Sequence, residues 1–276
     1  MNNSTIDELN NRTLDPCLFS IIVIPTEIYI KESEGFSNKK SVYLFFSCNI
    51  NAKRKYLTSV FADDFTKTSD WYDLLLSLKS RGLSVLLYAV IPDNDYFSKA
   101  LKLAFNEVTI FISCFEAISK LSKYYSYGYS KSITDKVRKV FLSSSIKEYE
   151  LALSEFNDAY LGFSFICDIL DDDLKRAKNY YVFPFPLRRF IFSFYFVREI
   201  SKRISSLSHS KPFFYSLDEF ISLFIPYFQK LESRMFCPKS ELNNVINIIY
   251  NDKKDLILSY LWCIIFINQG VDYYYE

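Results

Sequence analysis

The spacing of apolar residues changes along residues 69 to 114, and the change predicts a helix, a strand, a second helix and a second strand. The first helix begins at Ser69 or Asp70 and ends at Arg81-Gly82, because glycine suits the left-handed position after a helix. Val85 to Val90 is a continuous apolar run, typical of a strand buried on both faces. The core face of the first helix comprises Trp71, Leu74, Leu75 and Leu78.

A turn from Pro92 to Asp95 follows this strand and leads into the second helix. Val108 to Ile112 is the second buried strand, and the helix before it has a core face of Phe97, Leu101 and Phe105. Two strands joined by one helix form a right-handed βαβ unit, so we expect them to be parallel. Ligands bind at the carboxyl ends of such strands, which directs attention to residues 91 to 95.

Three strands are predicted before this unit, at Leu18 to Lys31, Ser41 to Asn49 and Tyr56 to Ala62. Their short connections indicate an antiparallel meander. Pro25 within the first strand favours a sheet edge or a bulge, because proline donates no hydrogen bond. The first 114 residues therefore predict an α/β core with the order β-β-β-α-β-α-β and a mixed sheet.

The rest of the chain predicts helices. No strand pattern occurs from residue 116 to about 179, and Leu187 to Ser206 predicts one long amphipathic helix. Helices from Leu217, capped by Ser216, and from Ser240 follow it. We expect a polar, poorly ordered tail at 1–16, the α/β core at 17–114, an all-helical insertion at 115–183, and a core-completing long helix with C-terminal helices at 184–276. The basic residues of the long helix are Arg188, Arg189, Arg198, Lys202 and Arg203.

Composition narrows the classes of function. Lys plus Arg is 33 and Asp plus Glu is 32, so the chain lacks the basic excess usual in DNA-binding proteins. Six scattered cysteines indicate reduced thiols of a cytoplasmic protein, and His209, the single histidine, excludes a multi-histidine metal site. The N-terminus shows no secretion signal, and the apolar run Leu256 to Ile267 is too short for a bilayer, so we expect no membrane partner.

Several stretches carry a resemblance to a known family. They are SDWYDLLLSLKSRGL at 69–83, LAFNEVTIFISC at 103–114, residues 124–160, FPFPLRRFIFSFYFVREISKRI at 183–204, and residues 213–232. Together with the order of elements, they resemble the transposase domain of bacterial Mutator-type insertion sequences over roughly residues 18 to 250. The resemblance implies a ribonuclease H-like fold with a helical insertion, a role in DNA transposition and recombination, and DNA as partner.

The same resemblance implies a catalytic set of Asp, Asp and Glu that holds two Mg²⁺ ions about 3.5–4 Å apart. The matching positions of this chain hold Thr26, Ile91 and Arg198. A guanidinium about 5 Å from a divalent ion costs roughly 7 kcal/mol at an effective dielectric near 20. We therefore expect a degenerate transposase-like protein without a metal cofactor, which retains weak DNA binding, or protein binding such as homo-oligomer formation.

Two further interpretations stay open. Glu27, Asp93 and Glu199 lie near the three matching positions and would be the catalytic residues of an active, Mg²⁺-dependent nuclease or transposase. Alternatively, the chain is an unrelated interaction protein, an interpretation excluded if the first strand lies at the centre of the sheet beside the strand ending at Val90. Because the chain begins close to its first strand, we also expect sequence-specific recognition of element ends to be missing.

Other polar residues have both a structural and a functional interpretation. Asp93 and Asp95 are turn and cap residues or displaced metal ligands, and Asp63-Asp64 ends a strand or joins a metal site. Asp171 to Asp173 is a solvated charge run, and His209 has no evident partner in the sequence. The five basic residues of the long helix form a phosphate-contacting or merely solvated face. Two interpretations, stacking on nucleic-acid bases and packing within the protein, apply to Tyr124, Tyr125, Tyr127 and Tyr129.

Overall fold

A computed structural model describes residues 4–32, 35–49, 52–113, 127–192, 194–232 and 239–258. Its sheet has five strands in the order β3-β2-β1-β4-β5. Strand β1 pairs antiparallel with β2 and β2 antiparallel with β3, whereas β1 pairs parallel with β4 and β4 parallel with β5. The predicted meander and the predicted parallel βαβ unit are both confirmed. The strands are β1 Cys17–Lys31, β2 Ser37–Cys48, β3 Arg54–Phe61, β4 Val85–Ile91 and β5 Thr109–Ile112.

Ten α-helices have both ends in the described ranges, residues 254–258 are also helical, and two 3-10 turns, Ala62–Asp64 and Lys178–Val182, accompany them. The predicted long helix is helical on both sides of residue 193, which lies outside the described residues. The helices are α1 Ser4–Asn11, α2 Thr68–Ser80, α3 Asp95–Ala104, α4 Tyr127–Phe141, α5 Ile146–Tyr160, α6 Ser164–Ala177, α7 Phe185–Phe192, α8 Phe194–Ser210, α9 Leu217–Glu232 and α10 Lys239–Asp252. None of the described helices is long and apolar enough to cross a membrane.

Helices α2 and α3 cover one face of the sheet. Trp71 of α2 stacks on Phe97 of α3 with ring centroids 4.3 Å apart, and Ile21 and Val23 of β1 belong to the same core. Helix α2 begins at Thr68, one residue earlier than Ser69, and the Asp70 carboxylate accepts hydrogen bonds from the backbone N–H groups of Thr66 and Lys67. Asp70 thus satisfies backbone donors from inside the first turn.

The C-terminal helices cover the other face. Because successive strand residues point to opposite sides, Ile22 and Ile24 of β1 join this second core while Ile21 and Val23 join the first. Phe46 of β2 contacts Phe196 of α8 and Phe228 of α9, with centroids 5.2 and 5.0 Å apart. The sheet is therefore enclosed between helices on both faces, with the aromatic-rich core on the C-terminal side.

The far half of β1 extends beyond β4. The pairing with β4 ends at Ile22, whereas the pairing with β2 continues to Lys31, so Pro25 lies where β1 has left its parallel neighbour. At its last residues β1 gains a different partner, because Lys31 N donates to Phe214 O and Phe214 N donates to Tyr29 O, each at 2.8 Å. The segment before α9 thus adds a short parallel bridge to the exposed edge of β1.

The N-terminal segment is not the poorly ordered tail expected from its polar composition. It forms helix α1, and its Leu9 and the following Leu14 are buried. The Arg81 guanidinium donates to the carbonyls of Leu9, Arg12 and Leu57, and burial lowers the pKa of Arg81. One arginine after α2 therefore ties the N-terminal segment to β3, which composition alone does not reveal.

Candidate functional site

The carboxyl end of β4 is closed by apolar packing. Ile91 is fully buried in the core shared with α2 and α3, and its carbonyl accepts a hydrogen bond of 2.7 Å from Ser113 N. Helix α8 packs against β1 on the opposite face, where its Phe196 and Ile200 are buried. A side chain at position 91 therefore points away from the helix that carries Arg198 and Glu199.

The turn after β4 holds its polar residues in structural contacts. The Asn94 side chain caps α3 by accepting a hydrogen bond of 2.9 Å from Phe97 N, and Asp95 lies in the first turn, where a carboxylate favours the helix dipole. The Asp93 carboxylate pairs with Arg176 of α6 at 2.7 Å. Tyr180 donates a hydrogen bond of 2.7 Å to Ile112 O at the end of β5. The segment comprising α6 and the following 3-10 turn thus contacts the edge of the sheet where ligands bind in open α/β folds.

Thr26 and Glu27 lie on opposite faces of β1. Ile24 and Ile28, two residues to either side of Thr26, belong to the core on the α8 side, so Thr26 faces that side. Glu27 faces the other side, and its carboxylate pairs with Lys39 of β2 at 2.7 Å. Glu27 therefore does not share a face of the sheet with Thr26.

Helix α8 turns Arg198 outward. The Arg198 side chain is 55% exposed, and its guanidinium lies over the Tyr195 ring at 5.1 Å. The adjacent Glu199 side chain is 17% exposed and pairs with Lys202 at 3.4 Å. Each of the three sequence-predicted carboxylates, Glu27, Asp93 and Glu199, thus has a cationic partner of its own. Within the described ranges, no three His, Cys, Asp or Glu side chains form a group that could hold a metal ion.

The five basic residues assigned to a DNA-binding face do not share one environment. Arg188 is 1% exposed, and its guanidinium donates to the carbonyls of Phe141, Ser143, Ser144 and Phe183 and stacks on the Tyr181 ring at 4.1 Å. Burial also lowers the pKa of Arg188. The assignment of Arg188 to an exposed face is wrong, because all of its donor groups point into the protein.

The other four basic residues remain at the surface to different degrees. Arg189 pairs with Glu241 of α10 at 3.1 Å and its side chain is 53% exposed. The Lys202 side chain is 61% exposed, whereas Arg203 is half-buried with its guanidinium over the Tyr227 ring at 5.1 Å. The exposed cations of this helical region are therefore Arg189, Arg198 and Lys202, with Arg203 at their margin.

The remaining candidates have structural roles where the structure describes them. Asp63 lies in a 3-10 turn within 3.9 Å of Lys40, and Asp171 pairs with Lys175 one helical turn away. The His209 ring nitrogen lies 2.7 Å from Ser205 O on the surface. Tyr127 and Tyr129 belong to helix α4, and Tyr124 and Tyr125 lie outside the described residues.

Sequence reasoning missed a group of exposed and half-buried aromatic and lysine residues around the bridge between β1 and Phe214. Tyr29 and Tyr215 are 48% and 62% exposed, and the Lys31 ammonium lies 4.9 Å from the centroid of the Phe213 ring. The signal that could have found them was the alternation of Ile28 and Ile30 with Tyr29 and Lys31, which predicts one buried and one exposed face of β1.

Comparison with known proteins identifies a family and two relatives that this chain resembles. The model of the family "Transposase, Mutator family" matches residues 2–220. A "Probable transposase for insertion sequence element ISRM3-like" from Sinorhizobium fredii (strain NBRC 101917 / NGR234) is 20% identical over 211 residues, which cover 76% of this chain and 52% of that protein. The "Transposase for insertion sequence element ISRM3" from Rhizobium meliloti (strain 1021) is 19% identical over 211 residues, with the same coverage. The chain thus spans about half the length of these relatives, and it belongs to the Mutator family of transposases.

Proposed function

We propose that this chain acts in DNA transposition as a ribonuclease H-like domain that contacts DNA and has lost two-metal strand transfer. Family membership supports the process, since both curated relatives carry the name transposase. The strand order β3-β2-β1-β4-β5, with β1 beside β4, supports the ribonuclease H-like assignment, because the resemblance requires that neighbourhood. It also argues against the interpretation as an unrelated interaction protein.

The observation that carries the loss of catalysis is the orientation of Ile91. Two-metal catalysis requires carboxylate oxygens that converge on a scissile phosphate. The position matched to the second Asp is apolar and points into the core of α2 and α3, whereas the helix that bears the third position packs on the other face. The residues at the three matched positions, Thr26, Ile91 and Arg198, offer no carboxylate, so they do not fit a Mg²⁺ pair.

A nicking assay tests this part of the proposal. Supercoiled and linear DNA are incubated with the chain in Mg²⁺ or Mn²⁺, and we expect no metal-dependent cleavage or strand joining. Cleavage that disappears in Glu199→Gln and persists in Glu241→Gln, an exchange on α10 of a glutamate that pairs with Arg189, would favour the active nuclease with shifted carboxylates.

The DNA contact is assigned to the exposed cations of α7 and α8. Arg189, Arg198 and Lys202 are more than half exposed and lie on consecutive turns or adjoining helices, so phosphate oxygens can approach them. Glu199 and Glu241 neutralise part of this charge, and the chain as a whole has a net charge of +1. Weak binding that depends strongly on salt is therefore expected.

Salt-dependent binding to duplex DNA tests this contact. The double variant Arg198→Gln/Lys202→Gln should flatten the plot of log K against log salt by roughly 0.9 for each phosphate that the variant no longer neutralises. Lys102→Gln is the matched control, because Lys102 is exposed on α3, on the other side of the sheet. Equal slopes for the double variant and the unmodified chain would show that α8 does not contact DNA.

A further inference from the structure

The end of the β1–β2 hairpin presents a ribbon of exposed and half-buried aromatic and lysine residues. Tyr29 and Lys31 lie two residues apart on β1 and share one face, and Lys39 lies directly opposite Tyr29 on β2. Phe213 and Tyr215 flank Phe214, which bridges Ile30 on the buried side. We call these five residues, Tyr29, Lys31, Lys39, Phe213 and Tyr215, the aromatic ribbon.

Backbone hydrogen bonds hold the ribbon in place. The two bonds between Phe214 and the β1 backbone fix the segment beside the strand, and the Phe214 ring is fully buried against Phe220 of α9, with centroids 5.2 Å apart. Glu219 accepts hydrogen bonds from Lys211 and from Tyr215 N, and although burial alone would raise the pKa of Glu219, these two bonds lower it. The exposed rings thus project from a framework ordered before any partner binds, which reduces the entropy lost on binding.

The ribbon combines rings with positive charge. The Lys31 ammonium lies 4.9 Å from the Phe213 ring centroid and 5.7 Å from that of Tyr215, and the Lys211 ammonium lies 5.8 Å from the Tyr215 ring. Within the described ranges no carboxylate pairs with Lys31, whereas Lys39 pairs with Glu27 and Lys211 pairs with Glu219. Lys31 is therefore the cation of this surface best placed for an anionic ligand.

We infer that the aromatic ribbon binds an unpaired strand of DNA, with bases stacked on Tyr29 and Tyr215 and a phosphate beside Lys31. Every base has a π-face, and exposed rings on a sheet with lysines between them are a recurrent means of holding single strands. The interior bases of a duplex have both faces covered by their neighbours, so this surface selects single strands. The inference rests on the proposed role in DNA transposition, but it concerns a surface separate from α8.

Fluorescence anisotropy with a labelled 15-nucleotide oligo-dT tests the inference on the full chain. The variant Tyr29→Thr/Tyr215→Ser should raise the Kd about tenfold or more, because the stacking of a base disappears with each ring. The variant Tyr29→Phe/Tyr215→Phe keeps both rings and should bind within about twofold of the unmodified chain. Tyr96→Ser is the matched control, since Tyr96 is 51% exposed on α3, and it should change nothing.

A second measurement reports on charge. Lys31→Gln should flatten the salt dependence of oligo-dT binding by roughly 0.7, the value expected for one contact with a single strand. Ultraviolet cross-linking to oligonucleotides containing bromodeoxyuridine, followed by peptide mass spectrometry, should place the cross-links at Tyr29 or Tyr215. Tyr29 and Tyr215 are exposed and Lys31 is half-buried, so unchanged thermal unfolding of each variant is expected and checks that the fold is intact.

The outcomes separate this inference from the proposed function. The inference is overturned by any of three results: oligo-dT does not bind, the Tyr29→Thr/Tyr215→Ser variant binds it like the unmodified chain, or the ribbon variants alter self-association instead. None of these results bears on duplex binding through α8, which the salt dependence of duplex binding tests separately. If duplex binding is insensitive to Arg198 and Lys202 but oligo-dT binding requires Tyr29 and Tyr215, the ribbon is supported and the α8 contact is rejected.

Discussion

Arg188 offers the most direct test of how this fold uses a buried charge. We predict that Arg188→Met lowers the free energy of unfolding by about 2–4 kcal/mol. Methionine keeps most of the side-chain volume, so the change reports on polar contacts rather than on a cavity. Two of the carbonyls that accept from the guanidinium, those of Phe141 and Ser143, are buried and lose their partner at 3.3 and 2.9 Å.

The magnitude follows from opposing terms. Each buried acceptor left without a donor costs about 1–3 kcal/mol, and the absence of the Tyr181 stacking adds about 1 kcal/mol. Removing the guanidinium also removes the cost of burying its charge, which offsets part of this sum. Arg188→Lys should recover only a fraction, because an ammonium cannot reproduce the planar set of donors that serves four carbonyls.

Urea unfolding followed by circular dichroism measures the change, with the slope of free energy against urea held as a check on two-state behaviour. The matched control is Arg189→Met, the same exchange one residue on, where an exposed ion pair with Glu241 is worth at most about 1 kcal/mol. Equal destabilisation of the two variants, or a more stable Arg188→Met protein, would refute the reasoning that the carbonyl contacts outweigh the cost of burial.

Three further predictions concern other parts of the fold. Asn94→Ala should cost about 1 kcal/mol in the same urea assay, since it removes the cap of α3, and Asn94→Asp should recover most of it. Tyr180→Phe should cost about 1 kcal/mol because it removes the hydrogen bond to Ile112 O, and hydrogen exchange near β5 should rise; an unchanged rate there contradicts the contact. Burial raises the pKa of Cys17 to about 11, so the folded thiol keeps its proton where the unfolded thiol, near 9, loses it. Stability should therefore fall between pH 9 and 11 by up to about 2 kcal/mol, and a Cys17→Ala variant with the same pH profile would show that another group is responsible.

The core was largely predictable because its residues follow a simple period. Trp71, Leu75 and Leu78 recur at helical spacing, and all three are buried as that spacing requires. The short apolar run of β4 predicted a strand covered on both faces. The structure agrees, because Tyr88 belongs to the core on the α8 side and Ala89 belongs to the core of α2 and α3. Periodicity predicts these buried positions because the removal of apolar surface from water is the main force that drives burial.

Arg188 and the N-terminal helix were not predictable for a different reason. A basic residue in an amphipathic helix is normally solvated. Three of the four backbone carbonyls that accept from the buried Arg188 guanidinium lie more than forty positions earlier in the chain. Likewise, α1 has few apolar residues, and its position depends on contacts made by Arg81 across the fold. Such long-range polar contacts leave no periodic signal.

The candidate site shows the same limit. The sequence placed Ile91 at the carboxyl edge of β4, which the structure confirms, but it did not show which face the side chain takes. The orientation follows from the pleat of β4 relative to α2 and α8, and one residue of difference exchanges the two faces. The ribbon around Tyr29 also required the bridge to Phe214, a pairing between residues far apart in sequence.

The bridge between Ile30 and Phe214 has a consequence for how the protein is made. During synthesis, β1 emerges from the ribosome long before Phe214. Its far edge therefore stays unpaired, and the apolar face formed by Ile22, Ile24 and Phe46 stays uncovered, until the C-terminal helices have been synthesised. At ordinary elongation rates of about 5–20 residues per second this interval lasts on the order of ten seconds or more. A nascent chain halted shortly before Phe214 should therefore engage chaperones, and one extended through α9 should release them.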